Sequence, residues 1–166
     1  MEKKEFFDLV SEKGEVIGMA SREECHSNKE LIHPTVHFTL FNSDTNEILL
    51  TKRSLNKRWD PGKTIFLGEH MISGESFEDG LIRGVKEELG FVTKRYKLLG
   101  NTIFRQESQT EYTKFFIVYY NSEIIDFDKK ETDKVWWVDI LKLRKLDEDL
   151  GSMTQYWIDN VDWSKI

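Results

Sequence analysis

The sequence predicts an α/β sandwich, with helices covering a mixed sheet, and three observations predict it. Short runs rich in β-branched and aromatic residues recur along most of the chain, as strands require. Helical periodicity interrupts them in only a few places. The 166 residues are 39% hydrophobic and 13% aromatic, which supplies a core for one domain spanning residues 1–166. No repeat, low-complexity tract or linker divides the chain.

Strands are predicted over Glu5–Val10, Val16–Ala20, Thr35–Phe41, Glu47–Lys52, Thr64–Met71, Lys97–Phe104, Lys114–Tyr120 and Lys134–Val138. Lys13-Gly14, Asn42-Ser43-Asp44 and Asp60-Pro61-Gly62 mark turns. Helices are predicted over Ser21–Ser27, Ser76–Leu89 and from Gly151 to about Asn160.

Charge and composition exclude several classes. Thirty acidic against 24 basic residues leave a formal net charge of -6, the wrong sign for binding nucleic acid by bulk electrostatics. An anionic substrate then needs a local basic patch or a metal ion. No apolar run reaches the roughly 18 residues of a membrane span. The charged start Met1-Glu2-Lys3-Lys4-Glu5 does not read as a signal peptide. One cysteine, Cys25, forbids an internal disulfide and favours a reducing, cytoplasmic setting.

Ser76–Leu89 carries the most information. Ser76 is placed to cap a helix, with Glu78 and Asp79 in its first turn. Phe77, Leu81, Val85 and Leu89 recur every four residues and Ile82 widens their stripe, which defines one apolar face. On that wheel Glu88 falls between Phe77 and Leu81, and Glu87 lies at the stripe's edge. A carboxylate against a packed face is costly unless it is paired, bound to metal, or frayed into solvent. Gly80 and Gly84 share an arc with these glutamates. Each costs about 1 kcal/mol relative to alanine inside a helix, so their presence points to a strand, a helix or a ligand approaching closely.

Gly74 through Phe91 resembles the Nudix box, G-x5-E-x7-R-E-U-x-E-E-x-G-U with U apolar. Glu75, Arg83, Val85, Glu87, Glu88, Gly90 and Phe91 match at the required offsets. Two positions depart: the opening glycine is Glu69, and the glutamate after the arginine is Gly84. Asp8-Leu9-Val10, Gly14 to Gly18, Ser21 to Glu24, Leu31-Ile32-His33 and Ile48 to Ser54 resemble Nudix proteins related to isopentenyl diphosphate isomerase. Lys134 to Val138 resembles the tryptophan strand that closes the Nudix sheet.

The resemblance implies a Nudix-type α/β/α sandwich, a small-molecule diphosphate substrate and hydrolysis assisted by Mg²⁺ or Mn²⁺. Such an ion neutralises phosphate charge and lowers the pKa of an attacking water. It assigns Glu87, Glu88 and the backbone carbonyl of Gly68 as metal ligands, with Glu75 and Arg83 orienting the loop against the helix. Gly84 removes a carboxylate that often binds metal in the family. Glu69, or Glu107 or Glu111 in a polar loop between strands, is the candidate replacement, with solvated loop charge as the alternative. Arg53, Arg58 and Lys63 are candidates for phosphate binding, and Trp59 for stacking on a base. Trp136, Trp157 and Trp163 read as core.

Two function classes compete. One is a hydrolase cleaving the pyrophosphate of a nucleoside diphosphate-linked or related small molecule. The other is a degenerate Nudix domain that binds a nucleotide or metabolite without cleaving it. Isomerase chemistry needs a cysteine just before the box, and Phe66 to His70 contains none. Cys25 reads as an inert helical thiol, His33 and His37 lack cysteine partners for zinc, and His70 reads as loop packing. The N-terminal strands and C-terminal helix are surfaces that either pair two subunits in a homodimer or cover the sheet.

Overall fold

The structure, a computed structural model, describes residues 4–166, so the first three residues of the charged start lie outside the described residues. Strands β1 (Phe6–Val10) and β2 (Val16–Ser21) form an antiparallel hairpin that leads into the short helix α1 (Arg22–Ser27). Ser21 and Glu24 close a capping box there, each side chain accepting from the other's backbone N–H. Next come β3 (Ile32–Asn42), β4 (Glu47–Arg53), β5 (Thr64–Ile65), β6 (Leu67–His70) and helix α2 (Phe77–Leu89). The chain continues through β7 (Tyr96–Arg105), β8 (Thr110–Tyr119), β9 (Thr132–Asp139) and helix α3 (Ser152–Asn160).

The main sheet has the strand order β5-β4-β3-β8-β7, with β6 also paired to β3 and β9 to β4. It is mixed: β3 and β8 run parallel over ten residue pairs, while the other pairs are antiparallel. Strand alternation sends Phe116 and Val118 of β8 toward α2, and Phe115 and Ile117 toward α3. On the α2 side Leu81, Val85 and Leu89 meet Val36, Phe38 and Leu40. On the α3 side Trp157 stacks on Phe115 with ring centroids 5.1 Å apart. Two helical layers therefore enclose the sheet. Trp157 is buried, and Trp136 and Trp163 pack against the same cluster. Among the described residues no helix is long and apolar enough to cross a membrane.

Of the boundaries that differ from the sequence reading, two bear most on the site. The predicted strand Thr64–Met71 breaks at Phe66, because the chain leaves β4 there and joins β3. Phe66 turns into the α3 cluster, and its N–H donates to Thr154 Oγ1 at 2.9 Å. Strand β8 begins at Thr110 rather than Lys114, so Glu111 is a ladder residue paired with His33 and not part of a loop. The β3 pairing extends the sheet into that polar stretch.

Candidate functional site

Helix α2 starts where Ser76 Oγ accepts from Asp79 N at 3.1 Å, and it ends at Gly90 with φ 81°. This fixes Arg83, Glu87 and Glu88 over β6. Arg83 Nε and Nη2 donate to the two oxygens of Glu75, each at 2.9 Å, and Nη2 also donates to the His70 carbonyl at 2.7 Å. Glu75 in turn accepts from Ile72 N, so this pair ties the loop to the helix. Arg83 Nη1 reaches Glu69 at 3.0 Å and Glu87 at 3.2 Å. One guanidinium thus meets three carboxylates, with Glu88 beside them.

That imbalance shows in the acidities. Burial, reinforced by the negative charge of Glu69, pushes the Glu88 carboxyl up to about 7. Burial also raises Glu69, against the pull of Arg83. Hard oxygen donors with more negative charge than Arg83 can neutralise are the set a Mg²⁺ or Mn²⁺ ion fits. A groove of about 790 Å³ opens over these residues, lined also by Gly68, Arg22, Arg53 and Lys57.

Glycines shape this ground. A Cβ on Gly84 would lie 2.6 Å from Glu69 Cγ, and one on Gly80 would lie 2.5 Å from Met71 Sδ. The close approach implied by the two helical glycines is therefore made by the side chains of β6 and the residue after it. A Cβ on Gly68 would lie 2.8 Å from His37 Cε1, so His37 fills the room a side chain there would need.

The other side of β6 carries a second cluster. The ring nitrogens of His26, His33 and His70 lie within 4.8 Å of one another, a set able to hold a metal ion. Both nitrogens of His33 are buried without a partner, and His26 Nε2 lies 2.9 Å from His70 Nε2. Burial holds His26 down to about 4 and His70 down to about 3, so both rings are neutral and fit to donate to a metal. Phe7 stacks on His70 with ring centroids 4.9 Å apart, and Asp8 accepts from Gly74 N and Ser73 Oγ. The N-terminal hairpin thereby roofs both the cluster and the box loop. Glu111, 6% exposed, accepts from Gln109 Nε2 at 3.1 Å and Thr35 Oγ1 at 3.3 Å. Burial works to raise its carboxyl, but the neighbouring histidines, His37 first, bring it down to about 2.

The expected site residues divide accordingly. Glu69, Glu75, Arg83, Glu87 and Glu88 converge, and Gly68 and Arg53 line both cavities. Glu111 belongs to the histidine side, and Glu107 is exposed in the preceding turn. Arg58 and Lys63 line neither cavity: Arg58 stacks over Trp59, and Lys63 pairs with Asp60 and Asp149. Trp59 lines the smaller, histidine-side cavity of about 200 Å³. Cys25 is buried, and its thiol is pushed up to about 11 by that burial, which makes it unreactive. The sequence reading missed His26 altogether and separated His70 from His33. No spacing in the sequence signals this set, and His37 is not part of it.

A mixed sheet between two helical layers, one of them an arginine-clamped acidic helix, defines the class of this fold and site. The comparisons with known proteins give the family. Residues 31–157 match the family described as NUDIX domain, and the chain belongs to that family. The chain is 28% identical over 132 residues to a prenyl-diphosphate phosphatase of Methanosarcina mazei, covering 78% of this chain and 76% of that one. It is 38% identical over 84 residues to an isopentenyl-diphosphate Delta-isomerase of Leifsonia xyli subsp. xyli, covering 49% of this chain and 44% of that one. The chain thus spans less than half the length of that isomerase. Among solved structures, the DR0079 protein of Deinococcus radiodurans superposes with a TM-score of 0.79 at 20% identity, over 95% of this chain and 99% of the other.

Proposed function

We propose that this protein is a metal-dependent hydrolase that cleaves the pyrophosphate of a nucleoside diphosphate-linked or related small molecule. The observation that carries the reading is the crowding of Glu69, Glu87 and Glu88 around the single charge of Arg83, with Glu88 pushed up to about 7. Glu87, Glu88 and the carbonyl of Gly68 would hold Mg²⁺ or Mn²⁺. The bound ion would neutralise phosphate charge and activate a water. Glu75 and Arg83 keep the loop in register with the helix. Arg53, with Lys57 and Arg22 lining the same cavity, would receive phosphate oxygens.

The similarity to a prenyl-diphosphate phosphatase supports adding prenyl diphosphates to the substrates tried. Isomerase chemistry is disfavoured because Phe66 to His70 contains no cysteine and Cys25 is buried elsewhere.

The test is phosphate or nucleotide release from a panel of nucleoside diphosphate-linked compounds and prenyl diphosphates, with and without Mg²⁺ or Mn²⁺. Glu87→Gln and Glu88→Gln should each lower turnover by at least about 10–100-fold, the loss typical of residues one shell further from a metal. Turnover indifferent to chelation and to both substitutions would end the reading. Thermal stabilisation by a compound without its cleavage would favour a binding domain instead.

A further inference from the structure

We propose that Glu69 and Gly84 are a matched exchange, in which β6 delivers to the box site the carboxylate that the family pattern carries on the helix. The inference rests on the hydrolase reading above and specifies which residue completes its acidic set. The two departures from the motif are the same two residue types with their positions interchanged: glutamate stands where glycine is expected, and glycine where glutamate is expected.

The two positions compete for one space. A Cβ on residue 84 would lie 2.6 Å from Glu69 Cγ, 3.3 Å from Glu69 Cβ and 3.1 Å from Phe38 Cε1. The glutamate stem therefore crosses the helix where a side chain at 84 would begin, and Phe38 blocks sideways relief. Glycine at 84 is the condition for glutamate at 69.

The Glu69 carboxylate arrives among the others. Its Oε2 shares Arg83 Nη1 with Glu87. Neutralising Arg83 does not require it, because Glu75 already engages that guanidinium through both oxygens. A second carboxylate beside a satisfied arginine, 19% exposed and facing two further glutamates, is placed for a cation. Glu111 does not compete for the role, since its oxygens are bound by Gln109 and Thr35 on the histidine side.

Five proteins test the exchange: wild type, Glu69→Gln, Glu69→Gly, Gly84→Glu and the Glu69→Gly/Gly84→Glu double variant. Melting is measured without metal, and Mn²⁺ binding by titration calorimetry. Gly84→Glu alone should lower the melting temperature by about 3–10 °C, because it overpacks the glutamate stem, and the double variant should regain most of that loss. Glu69→Gln keeps the stem, so its melting temperature should hold within about 2 °C. Its Mn²⁺ affinity should nevertheless fall by about tenfold or more. The double variant should bind Mn²⁺ within about threefold of wild type, and Glu69→Gly alone should not.

Wild-type Mn²⁺ affinity in Glu69→Gln overturns the proposal and leaves Glu69 as packing alone. Simple addition of the two single effects in the double variant also overturns it. A wild-type protein that cleaves nothing in the panel would sink the hydrolase reading, while these binding and melting differences would still uphold the exchange.

Discussion

Burial drives the imidazoles of His26, His33 and His70 toward their neutral forms, and this makes the folded protein sensitive to acid. His26 is held down to about 4 and His70 to about 3, below the usual 6.5, so the unfolded chain binds more protons than the folded one in between. The stability gained by keeping these rings neutral is complete above pH 6.5. It is lost as pH falls toward 4 for His26 and 3 for His70. The melting temperature of metal-free protein should therefore drop over this window, and His26→Gln should flatten the slope when the two are scanned by circular dichroism. Glu75, Arg83, Glu87 and Glu88 were legible in the sequence because they sit at fixed offsets within one loop and helix. The histidine set was not. Its members come from α1, β3 and β6, and nothing in their spacing announces that β6 leaves β4 to lie against β3.

Helix α2 behaves as its periodicity predicts along most of its length. Leu81, Val85 and Leu89 are fully buried. Phe77, the first member of the stripe, lies only partly buried, with Lys114 Nζ 4.2 Å from its ring centroid. The helix stops because Gly90 takes a left-handed φ of 81°, and a Cβ there would meet Asp126 Cβ at 3.0 Å and its carbonyl oxygen at 3.1 Å. Gly90→Ala should cost about 1–2 kcal/mol from the backbone alone, read as a lower urea midpoint. It should also loosen the turn that carries Glu87 and Glu88. The break in the predicted Thr64–Met71 strand was invisible in sequence for a different reason. Both halves have strand composition, and a change of partner alters which strand accepts the hydrogen bonds without altering the residues that suit a strand.

Across the whole molecule, the N-terminal hairpin acts as a clamp over the junction of the two cavities. Phe7, 2% exposed, packs against the rings of both His70 and His33, whereas Ile17 on the same hairpin is 69% exposed. Phe7→Ala should therefore destabilise the protein by about 3 kcal/mol or more, while Ile17→Ala should stay within about 0.5 kcal/mol, both measured by denaturant unfolding. Equal effects would show that the hairpin contributes no specific packing. The layered architecture, the box helix with its caps, and the glutamates and arginine of the motif were determined by the sequence alone, because each depends on neighbours a few residues apart. Tertiary structure alone decided that Glu69 occupies the space left by Gly84, that His37 fills the place beside Gly68, and that three distant histidines meet. The reason is physical: those contacts depend on which strand lies beside which and in what register, and the packing of the entire core sets that register.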